Sequence, residues 1–202
     1  NYPNRSSFFR YHYPSNLDES VKERISEIGE RAMAHMGFDS SPFNIEFFYD
    51  EPNDQIWLLE INTRISQSHS YLFEEVDGAS NHQVLVELAL GDPPRFPRHQ
   101  GPFECAGKFH LRVFQDGVMT RCPTEKDLRE IHARLPEAAV IPLVKQGDRL
   151  CELADQDAYS YWLAVVYVGG KDEDTLLAKY RECVELLDFR IDGRPISLGE
   201  LA

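Results

Sequence analysis

The chain has 202 residues, 42% of them hydrophobic, and a formal net charge of −13 from 34 acidic and 21 basic side chains. That length suits one large domain or two small ones. The acidic balance excludes a nucleic-acid binder, which needs clustered Lys and Arg to neutralise phosphates, and an anionic membrane surface as partner.

In chain order, N-Y-P-N-R-S-S-F-F-R-Y-H-Y-P-S reads as a strand leading into a helix, like the middle of a domain. Ser15 or Asn16 can cap a helix running to about Met36, with Leu17, Val21, Ile25, Ile28, Ala32 and Met36 as its apolar stripe. Gly37 fits its C′ position. Two strands follow, F-N-I-E-F-F-Y-D and I-W-L-L-E-I-N-T-R, joined by E-P-N-D-Q. The polar run S-Q-S-H-S-Y carries too little apolar pattern for a strand, and Asp77-Gly78 turns the chain. A helix over about 80–90 points Val84, Leu85, Leu88 and Ala89 inward, and Gly91 with Pro93-Pro94 ends it.

The stretch G-D-P-P-R-F-P-R-H-Q-G-P-F-E lacks periodicity and marks a boundary, giving expected domains of 1–95 and 96–202. Beyond it, strands are expected near 106–114 and 117–122, with a turn at Asp116-Gly117. Thr124 caps a helix over about 125–135. Further strands fall near 138–144, 149–153 and 161–168. A last helix, about 173–187, buries Leu176, Leu177, Tyr180, Val184 and Leu187. The fold class is α+β, a mostly antiparallel sheet with helices packed on it. Cys105, Cys122, Cys151 and Cys183 show no C-x-x-C spacing and read as thiols in a reducing compartment. There is no bilayer-length apolar run and no signal-peptide pattern, so a cytoplasmic location is expected.

The two central strands carry the chemistry. Alternation puts Phe43, Ile45, Phe47 and Tyr49 on one face of the first, and Asn44, Glu46 and Phe48 on the other. In the second, Trp57, Leu59 and Ile61 share a face, opposite Leu58, Glu60, Asn62 and Arg64. A hairpin symmetric about Asn53 sets Glu46 against Glu60, with Cβ atoms about 5 Å apart. Directly opposed like charges destabilise a sheet unless a cation offsets them, and a hard divalent ion prefers carboxylate and amide oxygens. Asn62 adds the amide two residues on. A solvated sheet face is the alternative reading of the same residues.

At these residues the chain resembles the ATP-grasp superfamily. The string E-I-N-T-R-I and its spacing from the earlier glutamate look most like biotin carboxylase and related carboxylate ligases. The resemblance implies the carboxy-terminal part of an ATP-grasp domain, followed by a small α+β domain. It implies Glu46, Glu60 and Asn62 as ligands of Mg²⁺ (or Mn²⁺) on the ATP phosphates, and Arg64 as the catalytic arginine that steadies an acyl or carboxy phosphate. Phe48, and after it Leu59, would line the adenine pocket. Where biotin carboxylases read I-Q-V-E-H-P, this chain reads I-S-Q-S-H-S-Y, with Ser66 and Ser68 in place of the glutamine and the glutamate base. A carboxylate other than bicarbonate is therefore the expected substrate. Gln67 and His69 lie where it should sit. Arg112, in K-F-H-L-R-V-F, either reaches the same site or is an exposed strand arginine.

The family's glycine-rich phosphate loop, phosphate lysines and adenine hinge are absent from this sequence. The chain is accordingly expected to be a fragment of a larger ligase, inactive alone and partnered by the upstream lobe. The carboxylases it resembles are often homodimers. Two alternatives stay open: a biotin carboxylase-type enzyme, and a non-catalytic binding or oligomerisation module with a relict grasp fold.

Overall fold

The computed structural model describes residues 9–154, 156 and 160–196. In chain order these form β1 (Arg10–Tyr13), α1 (Glu19–Met36), β2 (Asn44–Asp50), β3 (Gln55–Asn62), α2 (Gln67–Asp77), α3 (Asn81–Leu90), β4 (Cys105–Val113), β5 (Met119–Arg121), α4 (Glu125–Arg134), β6 (Ala139–Pro142), β7 (Tyr161–Gly170), α5 (Glu173–Leu187), β8 (Arg190–Ile191) and β9 (Arg194–Pro195). The class is α+β, with every strand pairing antiparallel.

The chain divides into two compact units. One is Pro14–Pro102; the other joins β1 to the residues from Phe103 onward. Composition suggested a division at 95/96, but β1 pairs with β4, Arg10 opposite Phe109, so the chain visits the second unit before it builds the first.

In the Pro14–Pro102 unit, α1 lies against the β2–β3 hairpin. Gly29 is buried, and a Cβ there would sit 3.4 Å from Ile45 Cδ1, so the missing side chain lets the helix come close. The buried positions of α1 are Val21, Gly29 and Met33. Met36, expected in the stripe, is exposed. The helix starts at Glu19 behind Asp18, while the Ser15 hydroxyl accepts from the Leu17 amide at 3.3 Å.

The polar run after Arg64 is not a loop. It forms the first half of α2, which Leu72 and Val76, both fully buried, hold in place. Only those two residues, one turn apart, reveal the helical period, and five polar residues precede them. Residues 99–101 strap its C-terminal end. His99 N donates to the buried Asp77 Oδ1 at 3.0 Å, and Gly101 N donates to Val76 O at 2.9 Å. A Cβ on Gly101 would lie 2.3 Å from Glu75 O, a contact that only glycine avoids. In α3 the half-buried residues are Asn81, Val84, Glu87 and Leu88, while Leu85 and Ala89, expected inward, are exposed.

In the other unit the sheet runs β1-β4-β7-β6. Phe109, Leu111 and Val113 of β4 face α5, where the Phe109 and Tyr180 rings stack at 4.3 Å. A second sheet, β5-β8-β9, closes the end. The strands β8 and β9 were not anticipated; each is two residues long and carries too little pattern to read. The strand expected at 149–153 is a 3₁₀ turn over Leu150–Glu152, with one bridge from Arg149 to Val118. Asp116 takes the place of a ladder there, accepting from Cys151 N at 3.0 Å and from Arg149 Nη2 at 2.9 Å. Cys105 and Cys183 are buried and Cys151 is exposed; burial pushes the Cys183 thiol up to about 12. No helix among the described residues is long and apolar enough to cross a membrane.

Candidate active site

The hairpin pairs Asn44 with Asn62, Ile45 with Ile61 and Glu46 with Glu60. The register then slips, and Phe47 meets Leu58, leaving Leu59 as an extra residue. This is a β-bulge, and one inserted residue exchanges the faces of everything beyond it. Trp57 therefore stands opposite Phe48, where alternation alone had put Leu58 on the carboxylate face. Phe48 and Trp57 are each 58% exposed, and Leu59 at the bulge is 60% exposed.

Below the bulge the polar groups form a chain. Asn62 Nδ2 donates to Glu60 Oε1 at 2.7 Å, and Arg64 Nη2 donates to Asn62 Oδ1 at 3.3 Å. Asn44 Nδ2 donates to the Arg64 carbonyl at 2.9 Å, which fixes the backbone where β3 ends. Glu60, Asn62 and Arg64 thus lie in one row, with Glu46 across from its head. The tip of the hairpin is tied to α1: Arg24 Nη1 donates to Asp54 Oδ1 at 2.7 Å, and Tyr49 OH donates to the same oxygen at 3.2 Å. The Arg24 hydrogen bond holds the Asp54 carboxyl below its ordinary value.

At the start of α2, His69 Nδ1 lies 2.7 Å from Ser66 Oγ and its ring stacks on Phe73 at 5.9 Å. Gln67 is exposed in the first turn. The Ser66 carbonyl accepts from Asn81 Nδ2 at 2.9 Å, so α3 anchors the start of α2.

Two carboxylates and an amide make an oxygen set suited to a hard divalent ion. Asn62 turns Nδ2 toward Glu60 here; a soft rotation about χ2 would bring Oδ1 to the carboxylates. Among the described residues no group of three or more His, Cys, Asp or Glu converges on one point, so the candidate set depends on the asparagine.

Residues 13–95 match the family described as the carbamoyl-phosphate synthase L chain, ATP binding domain. This stretch is part of an ATP-grasp domain. The α subunit of mitochondrial methylcrotonoyl-CoA carboxylase from Arabidopsis thaliana is 24% identical over 191 residues, covering 92% of this chain and 24% of that protein. D-alanine–D-alanine ligase from Synechococcus sp. (strain CC9605) is 44% identical over 78 residues, covering 37% of this chain and 22% of that one. The crystal structure of L-amino acid ligase from Bacillus licheniformis superposes with a TM-score of 0.69 at 19% identity, over 92% of this chain and 44% of its own. The chain spans about a quarter or less of the curated relatives named here.

Within the ATP-grasp segment the structure brings together Glu46, Glu60, Asn62 and Arg64. Phe48 shares the Glu46 face, while Leu59 occupies the bulge. Arg112 belongs to the other unit and is not the exposed arginine that was one of its two readings. It is 2% exposed; its Nη1 donates to Ser160 Oγ at 2.7 Å and its guanidinium lies 4.7 Å from the Trp162 ring centre. Sequence reasoning missed Trp57, because a bulge leaves no mark in alternation. It also passed over Asn44, although parity already placed it on the Glu46 face.

Proposed function

We propose that this chain supplies the metal- and phosphate-facing part of an ATP-dependent carboxylate ligase. The observation that carries this reading is the pairing of Glu46 with Glu60 at the head of the Glu60–Asn62–Arg64 row. Glu46, Glu60 and Asn62 would hold Mg²⁺ or Mn²⁺, which when bound offsets charge on the ATP phosphates. Phe48 and Leu59 offer apolar surface to the adenine. A substrate carboxylate oxygen attacks the γ-phosphorus and ADP leaves; an amine or thiol then displaces inorganic phosphate from the acyl phosphate. Arg64 has a planar fork of donors, so it can hold the anionic intermediate by paired hydrogen bonds that lysine could not reproduce. Its backbone is held by Asn44, so the fork starts from a fixed point. Gln67 and His69, at the start of α2, face the acid. The upstream lobe of the same enzyme, and a second copy of it, are the expected partners.

The test is ATP-dependent ligation in the full protein. Glu60→Gln and Arg64→Lys should each abolish it while the protein stays folded; wild-type turnover in both would sink the assignment. The methylcrotonoyl-CoA carboxylase match runs through both units and favours a second reading, a carboxylating enzyme. Bicarbonate-dependent ATP hydrolysis would select that reading over the ligase.

A further inference from the structure

The segment D-P-P-R-F-P-R-H has no periodicity, yet it holds one aromatic ring in a fixed place. Phe96 is half-buried, while Arg95 before it and Arg98 and His99 after it are exposed. The backbone is pinned on both sides of the ring. Arg95 N donates to Glu87 Oε2 of α3 at 2.6 Å, and His99 N donates to Asp77 Oδ1 of α2 at 3.0 Å. Gln83 Nε2 donates to the other Glu87 oxygen at 3.1 Å. Pro94 and Pro97 narrow what lies between, because proline fixes its own φ and keeps the residue before it extended. The Phe96 ring meets Phe73 of α2 edge-on, with centres 5.6 Å apart and planes at 89°. The Arg98 guanidinium carbon lies 5.3 Å from the Phe96 ring centre. Phe73 in turn stacks on His69, with planes 24° apart, and His69 Nδ1 lies beside Ser66 Oγ. A continuous line of ring contacts thus runs from the proline-rich segment to the imidazole at the start of α2.

We propose that Phe96 is a positioning residue, which acts through Phe73 to fix the imidazole of His69 against Ser66. This deepens the ligase reading above, in which His69 faces the acid, and rests on it. A hydrogen bond at one ring atom leaves an imidazole able to tilt, because its outer torsion is broad. A ring stacked on its face removes that freedom. The outer torsion of Phe73 is just as broad, so Phe73 can hold the imidazole only if something holds Phe73. Phe96, locked by two prolines and two backbone hydrogen bonds, is that fixed ring. Two consequences follow for His69. The partner of one ring nitrogen decides which nitrogen carries the proton, so a ring that tilts off Ser66 changes its tautomer. A reacting group displaced by about 1 Å can lose about 100-fold in rate.

Nuclear magnetic resonance of the full protein with ¹⁵N-labelled histidine reads the ring directly, and His69→Gln identifies its signals. Wild type should show one dominant His69 tautomer. Phe96→Leu should move the ring nitrogens toward the tautomer mixture of a solvated histidine, while Phe96→Tyr, which keeps the ring, should leave them in place. Glu87→Ala frees Arg95 N without touching a ring and should move them the same way by less, so it decides the matter if Phe96→Leu does not fold. Turnover gives a second readout: ADP release from Mg·ATP with a mixture of the twenty L-amino acids, a source of both carboxylates and amines. In Phe96→Leu, kcat should fall roughly tenfold or more with KM for ATP unchanged. A mixed tautomer already in wild type, or unmoved His69 signals in the folded variants, would overturn the proposal. So would moved signals with wild-type kcat, which would leave the ring contacts as packing alone. No ADP release by wild type would remove the ligase reading by itself, and the His69 signals would still report whether Phe96 holds the imidazole.

Discussion

Trp57 faces Phe48 directly across the hairpin, because Leu59 is an extra residue in β3. The two exposed rings make one apolar platform on the Glu46 face, next to the candidate phosphate end. Stacking of a base on an aromatic ring contributes about 1–3 kcal/mol. Phe48→Ala and Trp57→Ala should each weaken Mg·ATP binding by tenfold or more, and ATP should quench Trp57 fluorescence in wild type. Unchanged emission and affinity would place the adenine elsewhere.

The opposed carboxylates make a prediction of two signs. Without metal, Glu46→Gln or Glu60→Gln removes a like-charge pair from a directly opposed position and should raise the melting temperature slightly. With Mn²⁺, the same variants should lose the ion's stabilisation, so their melting temperature should fall below that of wild type. Scanning calorimetry with and without Mn²⁺ reads both. A fall in the absence of metal would mean that the carboxylates support the hairpin by some other contact.

His110 makes stability depend on pH. Its folded value is lowered from 6.5 to about 4, so between those limits the unfolded chain binds a proton that the folded one refuses. Stability is therefore lost as pH falls through this window, by about 3 kcal/mol in total. Urea unfolding at pH 7 and pH 4.5 should show the loss in wild type and much less of it in His110→Gln. An equal loss in both would assign the acid sensitivity to other groups.

Gly101→Ala should lift the strap from the end of α2, because the new Cβ meets Glu75 O at 2.3 Å. The expected cost is about 1–3 kcal/mol. Amide exchange at His99 and Gly101 should accelerate more than exchange within β2 and β3. Uniform acceleration throughout the Pro14–Pro102 unit would show that the strap is not a separate local element.

Much of this was legible from residue order. Symmetry about Asn53 brought Glu46 against Glu60, and the two do pair on the side of the irregularity away from the turn. It failed for Trp57, two residues from Leu59 on the turn side of the bulge. Helices with a long apolar stripe, such as α5, were visible, and α2 was hidden by its polar first half. Arg112 could not be judged from β4 alone, because its surroundings come from Ser160 and Trp162, about fifty positions away.

The strand Arg10–Tyr13 hydrogen-bonds to β4, across the chain's second crossing at Pro102–Phe103. A protease that nicked the backbone at that crossing would release no free half. The amino-terminal piece would keep its own strand stitched into the sheet of the carboxy-terminal piece, with Arg10 still paired to Glu173 at the head of α5. Cleaved material should run as one particle on a sizing column and as two bands only after denaturation, so the molecule tolerates a cut exactly where its sequence is loosest.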